Sequence, residues 1–363
     1  MRIKITKESL LNGLQKVQNV VTSKTTLPIL SYVLLNTDQN KIKLSSTDLD
    51  MGITCAIPGE ITESGAICLP AKKFFEIIRE FPFEEIDILT KKNNLTIIKN
   101  KTCEFKIMGL GSEEFPKIPE FKENEIIKLD QMVLKKALGM TSFAVSLDET
   151  RYILNGILFY FHNRKFNAVA TDGRRLSLVE ETINQEIKND VKIIIPLKTI
   201  HEVMRNLNLE GEVSLILGKN QIGFEWENLM IISRLVEGDF PDYQQVIPPV
   251  SNYKIKINRQ IFWGAIRRAA LLATPDYQAV KLDVLRNKLI ISKSTPDLGE
   301  FYEEIETQYE GKEIVIGFNP DYLMDVLKNL DDEVVELEVM ESEKPAVIRK
   351  PGYIYIVLPI RLG

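Results

Sequence analysis

Apolar positions along this chain follow two periods in turn, and the alternation itself recurs. Around 7–17 the apolar residues Leu10, Leu14 and Val17 fall at helical spacing, and Val133, Ala137 and Met140 repeat that spacing in 130–140. Phe262, Ile266 and Ala269 repeat it again in 258–269. Ser9, Asp130 and Asn258 are the polar residues expected to cap these helices at their N-termini. A second amphipathic helix, entered from a strand, is predicted three times, over 70–81, 196–207 and 319–330. Asp325 stands in the last of these where Glu76 and Glu202 stand in the others, and Lys328 where Arg79 and Arg205 stand. Between the helices the period drops to two. Phe166-Asn167-Ala168-Val169-Ala170 and Ser177-Leu178-Val179 read as strands, joined through Thr171-Asp172-Gly173-Arg174-Arg175-Leu176. Asp-Gly suits a tight connection, because glycine adopts positive φ without steric cost.

The recurrence has a fixed interval. Thr47, Thr171 and Thr295 are separated by 124 residues, as are Leu34, Leu158 and Leu282, and Ile42, Phe166 and Ile290. One unit is written three times, each copy running strand, helix and strands twice over. Breaks at Glu123-Asn124 and at Pro248-Pro249-Val250 predict domains over 1–124, 125–249 and 250–363. The expected class is α+β, three tandem similar domains in which two helices cover antiparallel sheet. Stacked solenoid repeats are usually about 20–45 residues long. Units this much larger can each hold a core, which points to an arc or a closed ring.

Composition changes the picture only through charge. The 363 residues carry a formal net charge of −5, which on its face argues against a nucleic-acid partner. The six helix windows together hold 13 Lys or Arg against 7 Asp or Glu. If the helices share a surface, it offers a positive field to phosphates while the acidic remainder repels them. Aromatic residues are not interleaved with these bases and no recognition helix stands out, so backbone contact without base readout is the expectation. No apolar run reaches membrane-span length and the charged start Met1-Arg2-Ile3-Lys4 lacks a leader's apolar core, so a cytoplasmic protein without membrane partners is expected. Cys55, Cys68 and Cys103 have neither disulfide nor zinc-ligand spacing and read as reduced structural thiols.

Catalytic signatures are absent. There is no phosphate-binding loop, nucleophile elbow or zinc-helix motif, and only two histidines, His162 and His201. Asp172 reads as a turn residue, and Glu84-Glu85 and Asp331-Asp332-Glu333 as solvated ends of elements. No catalytic residue, metal or cofactor is expected. Two other classes remain beside a protein that meets nucleic-acid backbones without reading bases: a repeat-built scaffold without a DNA role, and a metal-dependent enzyme on nucleic acid.

The full length resembles the bacterial DNA polymerase III beta subunit family. The residues that carry the resemblance are Thr26-Leu27-Pro28-Ile29-Leu30, Ala71-Lys72-Lys73-Phe74-Phe75, Arg151-Tyr152-Ile153-Leu154-Asn155-Gly156, Ala170-Thr171-Asp172-Gly173-Arg174-Arg175-Leu176, Gly238-Asp239-Phe240-Pro241-Asp242-Tyr243, Gly317-Phe318-Asn319 and Leu358-Pro359-Ile360-Arg361-Leu362. The resemblance implies the DNA clamp fold, with two copies closing head to tail into a ring of six similar domains, helices lining the hole. It implies a non-catalytic processivity factor that encircles duplex DNA, slides, and holds the replicative polymerase, clamp loader and repair polymerases through short peptide motifs.

Residue roles follow from the same resemblance. DNA contact is implied for Lys24, Lys72 and Tyr152, with Lys198 in the matching place of the second-helix repeat. Ile153 and Asp148 stand where an aromatic and a neutral polar residue are familiar. The implied partner-peptide pocket comprises Leu154, Thr171, Gly173, Arg174, Arg175, Leu176, Pro241, Val246, Asn319, Tyr322, Leu358, Pro359, Ile360 and Arg361, with the three arginines at its rim. Arg174 replaces a common His, and Gly363 extends the chain by one residue. Phe105, Ile107, Leu271 and Leu272 are implied at the dimer interface, where Lys99, Lys101 and Lys106 would face Glu300, Glu303, Glu304 and Glu306.

Overall fold

The computed structural model describes residues 1–21, 26–38, 41–119, 121 and 125–362. Six α-helices form within one residue of the predicted spans: α1 Lys7–Val17, α2 Ala71–Glu80, α3 Gln131–Thr141, α4 Leu197–Asn206, α5 Arg259–Ala270 and α6 Pro320–Asn329. The caps hold at two of the three predicted places. Asp130 accepts the Met132 amide at 2.8 Å, and Asn258 accepts the Gln260 and Ile261 amides at 3.1 Å. At α1 the cap is Thr6 rather than Ser9, whose amide donates to the Thr6 hydroxyl at 3.2 Å. The preceding strand, Arg2–Thr6, runs straight into the helix, so the last extended residue supplies the cap. In α3 the predicted Ala137 and Met140 are buried, with Leu134, Leu138 and Thr141 completing the stripe, while Val133 is only half-buried.

The chain packs as two units. One comprises Met1–Met132 with His201–Leu235, and the other Val133–Ile200 with Val236–Gly363. In the first unit a five-stranded sheet holds Arg2–Thr6 between Glu60–Glu63 and Glu85–Thr90, and ends at Cys103–Met108. Its other sheet has eight strands, because Leu229–Arg234 pairs antiparallel with Met51–Ile57, register Ile231 to Ile53. Leu10, Leu14, Val17, Phe74, Ile78 and Phe81 are buried beneath the helices. The approach of α1 to the sheet is close: a Cβ on Gly13 would lie 2.7 Å from Ile57 Cγ2.

In the second unit a six-stranded sheet is built on a long hairpin, Gly156–Thr171 with Arg175–Pro196. The strands predicted around the Asp-Gly turn are only the ends of this hairpin. Arg175–Val179 also pairs with Tyr353–Val357, register Arg175 to Val357. That is the same pairing as Met51 to Ser233 in the first unit, displaced by 124 residues at both partners. Phe161 stacks on Phe166 at 4.9 Å inside the hairpin, and Phe159 meets both edge to face at 4.9–6.1 Å. A four-stranded sheet ends at Gly299–Glu306. Among the described residues every strand pairing is antiparallel, as is common in α+β folds.

The equal spacing of the threonines has a local structural cause. Thr171 Oγ1 donates to the Arg175 carbonyl at 2.6 Å and accepts the Gly173 amide at 3.1 Å. Asp172 Oδ1 accepts the amides of Arg174 and Arg175 at 2.8 and 3.0 Å. Thr47 and Asp48 make the same four bonds to Met51, Leu49, Asp50 and Met51, at 2.7–3.1 Å. Gly173 has φ 86° and Leu49 φ 82°, so both turns need the left-handed conformation at one place. The third copy departs. Thr295 Oγ1 donates instead to Leu272 at 2.5 Å, while the positive φ is kept at the matching Asp297 and a second one follows at Gly299.

Candidate functional site

The turn at Thr171 opens onto a cavity of about 410 Å³ in the second unit. Of the residues implied for the peptide pocket, Leu154, Thr171, Gly173, Arg174, Arg175, Leu176, Pro241, Val246 and Leu358 line it. Phe240, Asp242, Tyr243, Pro345 and Ile356 line it too and were not singled out in the sequence. Phe240, Asp242 and Tyr243 flank Pro241 in a quoted motif and were within reach; Pro345 had no local signal. The wall is largely apolar because Leu176, Tyr243 and Ile356 belong to a buried cluster with Leu158, Val169 and Ile194. Val246 and Leu358, 56% and 42% exposed, stand at the opening. Leu358 is tied to the turn through its amide, which donates to the Arg174 carbonyl at 2.9 Å.

Arg175 is the main difference from the expected rim. Its side chain is only 10% exposed, and its donors are spent inside the protein. Nε donates to Asp172 Oδ2 at 3.0 Å, one terminal nitrogen to Asp325 Oδ2 at 2.6 Å, and the other to the Phe143 carbonyl at 2.5 Å. The guanidinium lies over Tyr322, 4.4 Å from the ring centre. Burial works against its charge, yet the bond to Asp325 and the neighbouring charges outweigh burial and hold its pKa above the usual arginine value. A guanidinium so engaged supports the wall rather than reaching a ligand. Tyr322 therefore meets the site from behind Arg175. Arg174 is exposed at the opening.

Other pocket residues implied by resemblance lie elsewhere. Asn319 caps α6, accepting the Asp321 amide at 2.9 Å. Ile360 donates its amide to the Gly317 carbonyl at 2.8 Å, and Ile360 and Arg361 line a separate cavity with Tyr277, Lys293 and Tyr302. Pro359 joins Leu358 to Ile360 and lines neither cavity.

The candidate DNA contacts fall on helices and on one turn. Lys72 is exposed in the first turn of α2 and Lys198 is exposed in α4. Tyr152 is 58% exposed in the turn Glu149–Leu154. Lys24 lies outside the described residues. Asp148 caps that turn, accepting the Thr150 hydroxyl at 2.7 Å and its amide at 3.0 Å, which hold its carboxyl below the usual range. Ile153 packs toward the buried cluster and against Gly238. The helix charge is less available than the sequence count suggests. Arg268 forms a two-pronged bond to Glu303, and Arg259 donates to the carbonyls of Asp332 and Leu327. Lys73 pairs with Glu76 at 2.7 Å, and Arg205 pairs with Glu202.

Two of the candidate interface residues lie on an edge strand and two follow a helix. Phe105 and Ile107 are on Cys103–Met108, which closes one side of the five-stranded sheet, and Phe105 is 37% exposed. Leu271, 80% exposed, and Leu272 follow α5 in the second unit, whose strand Gly299–Glu306 closes one side of its sheet. Several seam charges already have partners in their own unit: Lys106 with Glu104, Glu303 with Arg268, and Glu304 with Lys288.

His162 stacks on Tyr160 and His201 is exposed on α4; neither meets a carboxylate array. No group of three metal-binding side chains occurs among the described residues, nor any helix long and apolar enough to cross a membrane. Cys55 and Cys68 are buried and unpaired, and burial pushes the Cys68 thiol up to about 12.

Three family descriptions tile the sequence: DNA polymerase III beta subunit, N-terminal domain, over 1–119, central domain over 128–242, and C-terminal domain over 244–360. The beta sliding clamp of Pseudomonas putida is 34% identical, with each chain covered in full. Among solved structures, the DNA polymerase sliding clamp of Bacillus subtilis superposes with a TM-score of 0.95 at 31% identity, again over the whole of both chains. A sliding clamp from Pseudomonas aeruginosa bound to griselimycin gives 0.95 at 32% identity over both full chains.

Proposed function

We propose how the molecule works from the premise that the chain belongs to the DNA polymerase III beta subunit family. Its function is that of a non-catalytic DNA polymerase processivity factor. Neither a repeat scaffold without DNA nor a metal-dependent nuclease is favoured. Two copies close head to tail in the cytoplasm, the edge at Cys103–Met108 of one meeting the edge at Gly299–Glu306 of the other. A heterologous contact closes into a ring when its rotation permits, and otherwise grows into a filament. Domains over 1–124, 125–249 and 250–363 supply six similar parts. Lys24, Lys72, Tyr152 and Lys198 touch the duplex backbone, and contacts of this diffuse kind hold the ring on DNA without pinning it to a sequence.

The cavity at Thr171 takes the partners. One observation carries this reading: a half-open, mainly apolar cavity whose turn is locked from behind by Arg175. Leu and Phe side chains of a short extended peptide fit such a space, with Arg174 beside its polar groups. Polymerase, loader and repair polymerases then exchange on one ring. The gain for a tethered enzyme is effective concentration, since each cycle begins with DNA at hand.

The test is retention on nicked circular DNA before and after linearisation. A closed ring stays on the circle at high salt and runs off the free ends once the circle is cut. Equal retention on both forms would refute encirclement.

A further inference from the structure

A second cavity, about 240 Å³, sits in the first unit and is lined by Thr47, Leu49, Asp50, Met51, Gly52, Pro116, Lys117, Pro119, Gln221, Ile232 and Arg234. Each of these residues lies 124 positions before a residue lining the cavity at Thr171. Thr47 answers to Thr171, Pro116 to Phe240, Gln221 to Pro345 and Arg234 to Leu358. The frame is kept as well. The Arg234 amide donates to the Asp50 carbonyl at 2.9 Å, as that of Leu358 does to Arg174.

The contents have changed in a directed way. Gly52 replaces Leu176, and Ile118 packs over it: a Cβ on Gly52 would lie 3.3–3.6 Å from the Ile118 side chain. Met51 and Ile232, 2% and 7% exposed, keep the floor apolar. At the opening, Lys117 stands for Pro241 and Arg234 for Leu358, while Asp50 and Met51 take the places of Arg174 and Arg175, so the cations are relocated to the opening rather than added. Asp50, 3.4 Å from Arg234, is the acidic residue of the lining, which leaves one positive charge in excess. Leu49 holds φ 82° where its counterpart is glycine. A leucine in that disfavoured conformation puts a 46% exposed apolar side chain beside the opening.

We propose that this cavity is a second docking site, for a short extended peptide segment of a partner in which acidic residues alternate with apolar ones. The apolar side chain enters over Met51 and Ile232, and the carboxylates meet Lys117 and Arg234. The inference rests on the reading of the Thr171 cavity as a peptide site, since the shared frame is its starting point. Because the cations are exposed, their contribution falls with salt.

Methyl-labelled protein distinguishes the sites. Leu49 and Met51 report on the first unit, Val246 and Leu358 on the second. The probe is acetyl-Asp-Leu-Asp-Leu-amide, with acetyl-Asn-Leu-Asn-Leu-amide and pentathymidylate as comparisons. The Leu49 and Met51 signals should move saturably with the acidic peptide and bind the neutral one at least fivefold more weakly. Lys117→Glu with Arg234→Glu should weaken the acidic peptide at least tenfold while Val246 and Leu358 keep their positions. Leu176→Asp should leave the Leu49 and Met51 response intact. Movement at Val246 and Leu358 alone would overturn the proposal. So would loss of the first-unit response in Leu176→Asp, or tighter binding of pentathymidylate than of peptide. Movement at Leu49 and Met51 upholds this site, and the Thr171 reading fails separately if a polymerase-derived peptide moves neither Val246 nor Leu358.

Discussion

Arg175→Met tests whether the partner cavity is held in shape from behind. Methionine fills much of the arginine's space but donates nothing. Asp325, 41% exposed, turns to water at little cost, and Asp172, 15% exposed, keeps the amides of Arg174 and Arg175. The part-buried Phe143 carbonyl loses its guanidinium donor, a loss of about 1–3 kcal/mol where no water takes its place. Removing the cation from the face of Tyr322 costs about 0.5–2 kcal/mol more. Part of this returns as apolar burial, leaving a net loss of roughly 2–3 kcal/mol. Urea unfolding followed by signals from the second unit measures it. The turn from Thr171 loosens with its support, so titration with a polymerase-derived peptide should show binding at least tenfold weaker. Asp325→Asn closes a double-mutant cycle, and a coupling of about 1 kcal/mol or more is expected. Wild-type stability and wild-type peptide affinity in Arg175→Met would refute the reasoning.

Lys72→Glu with Lys198→Glu should lower direct DNA affinity at low salt and flatten its salt dependence, measured by fluorescence anisotropy; unchanged affinity at low salt would remove both from the DNA surface. Leu271→Ala with Leu272→Ala should give folded monomers in sedimentation, since exposed ion pairs are individually weak and apolar burial carries such a seam; a dimer that persists at nanomolar concentration would refute the placement. At pH 8 a thiol reagent should modify Cys103 and spare Cys68, whose thiol stays protonated until pH nears about 12; rapid labelling of Cys68 in native protein would contradict its burial. Asp332 is held below the ordinary 3.8, first by its bond to Lys350, so its share of stability is full above that value and lost as pH falls through the lower folded one; Asp332→Asn should flatten acid unfolding there, and identical acid transitions would dismiss the pair.

The helices were legible because each buries one stripe, and a stripe prints itself at a period of 3.6 whatever covers it. The Asp-Gly turn was legible for a similar reason, since its bonds run between residues two to four apart. What the sequence hid depends on long-range pairing. Val133 and Leu134 look alike on paper, and only the packed sheet decides which faces it. Arg175 reads as a rim residue until Asp325 and Phe143 come to meet it. The helix charge count was similarly incomplete, because Glu303, the partner of Arg268, sits on a strand 35 residues away. Ile118 stands 124 residues before Asp242, a polar residue that gives no sign that its counterpart fills the place of Leu176.

The pairing of Met51–Ile57 with Leu229–Arg234 sets a schedule for the nascent chain. At about 5–20 residues per second, the partner strand leaves the ribosome on the order of ten to thirty seconds after the strand it must meet. Until then the first helices and strands can pack, but the eight-stranded sheet ends at an open row of amides and carbonyls. Arg175–Val179 waits as long again for Tyr353–Val357. An unpaired edge is a template for any other extended chain. Synthesis therefore passes through two intervals in which a nascent chain is open to mispairing with its neighbours on the same message, and slow codons just before residue 229 or residue 353 would lengthen them.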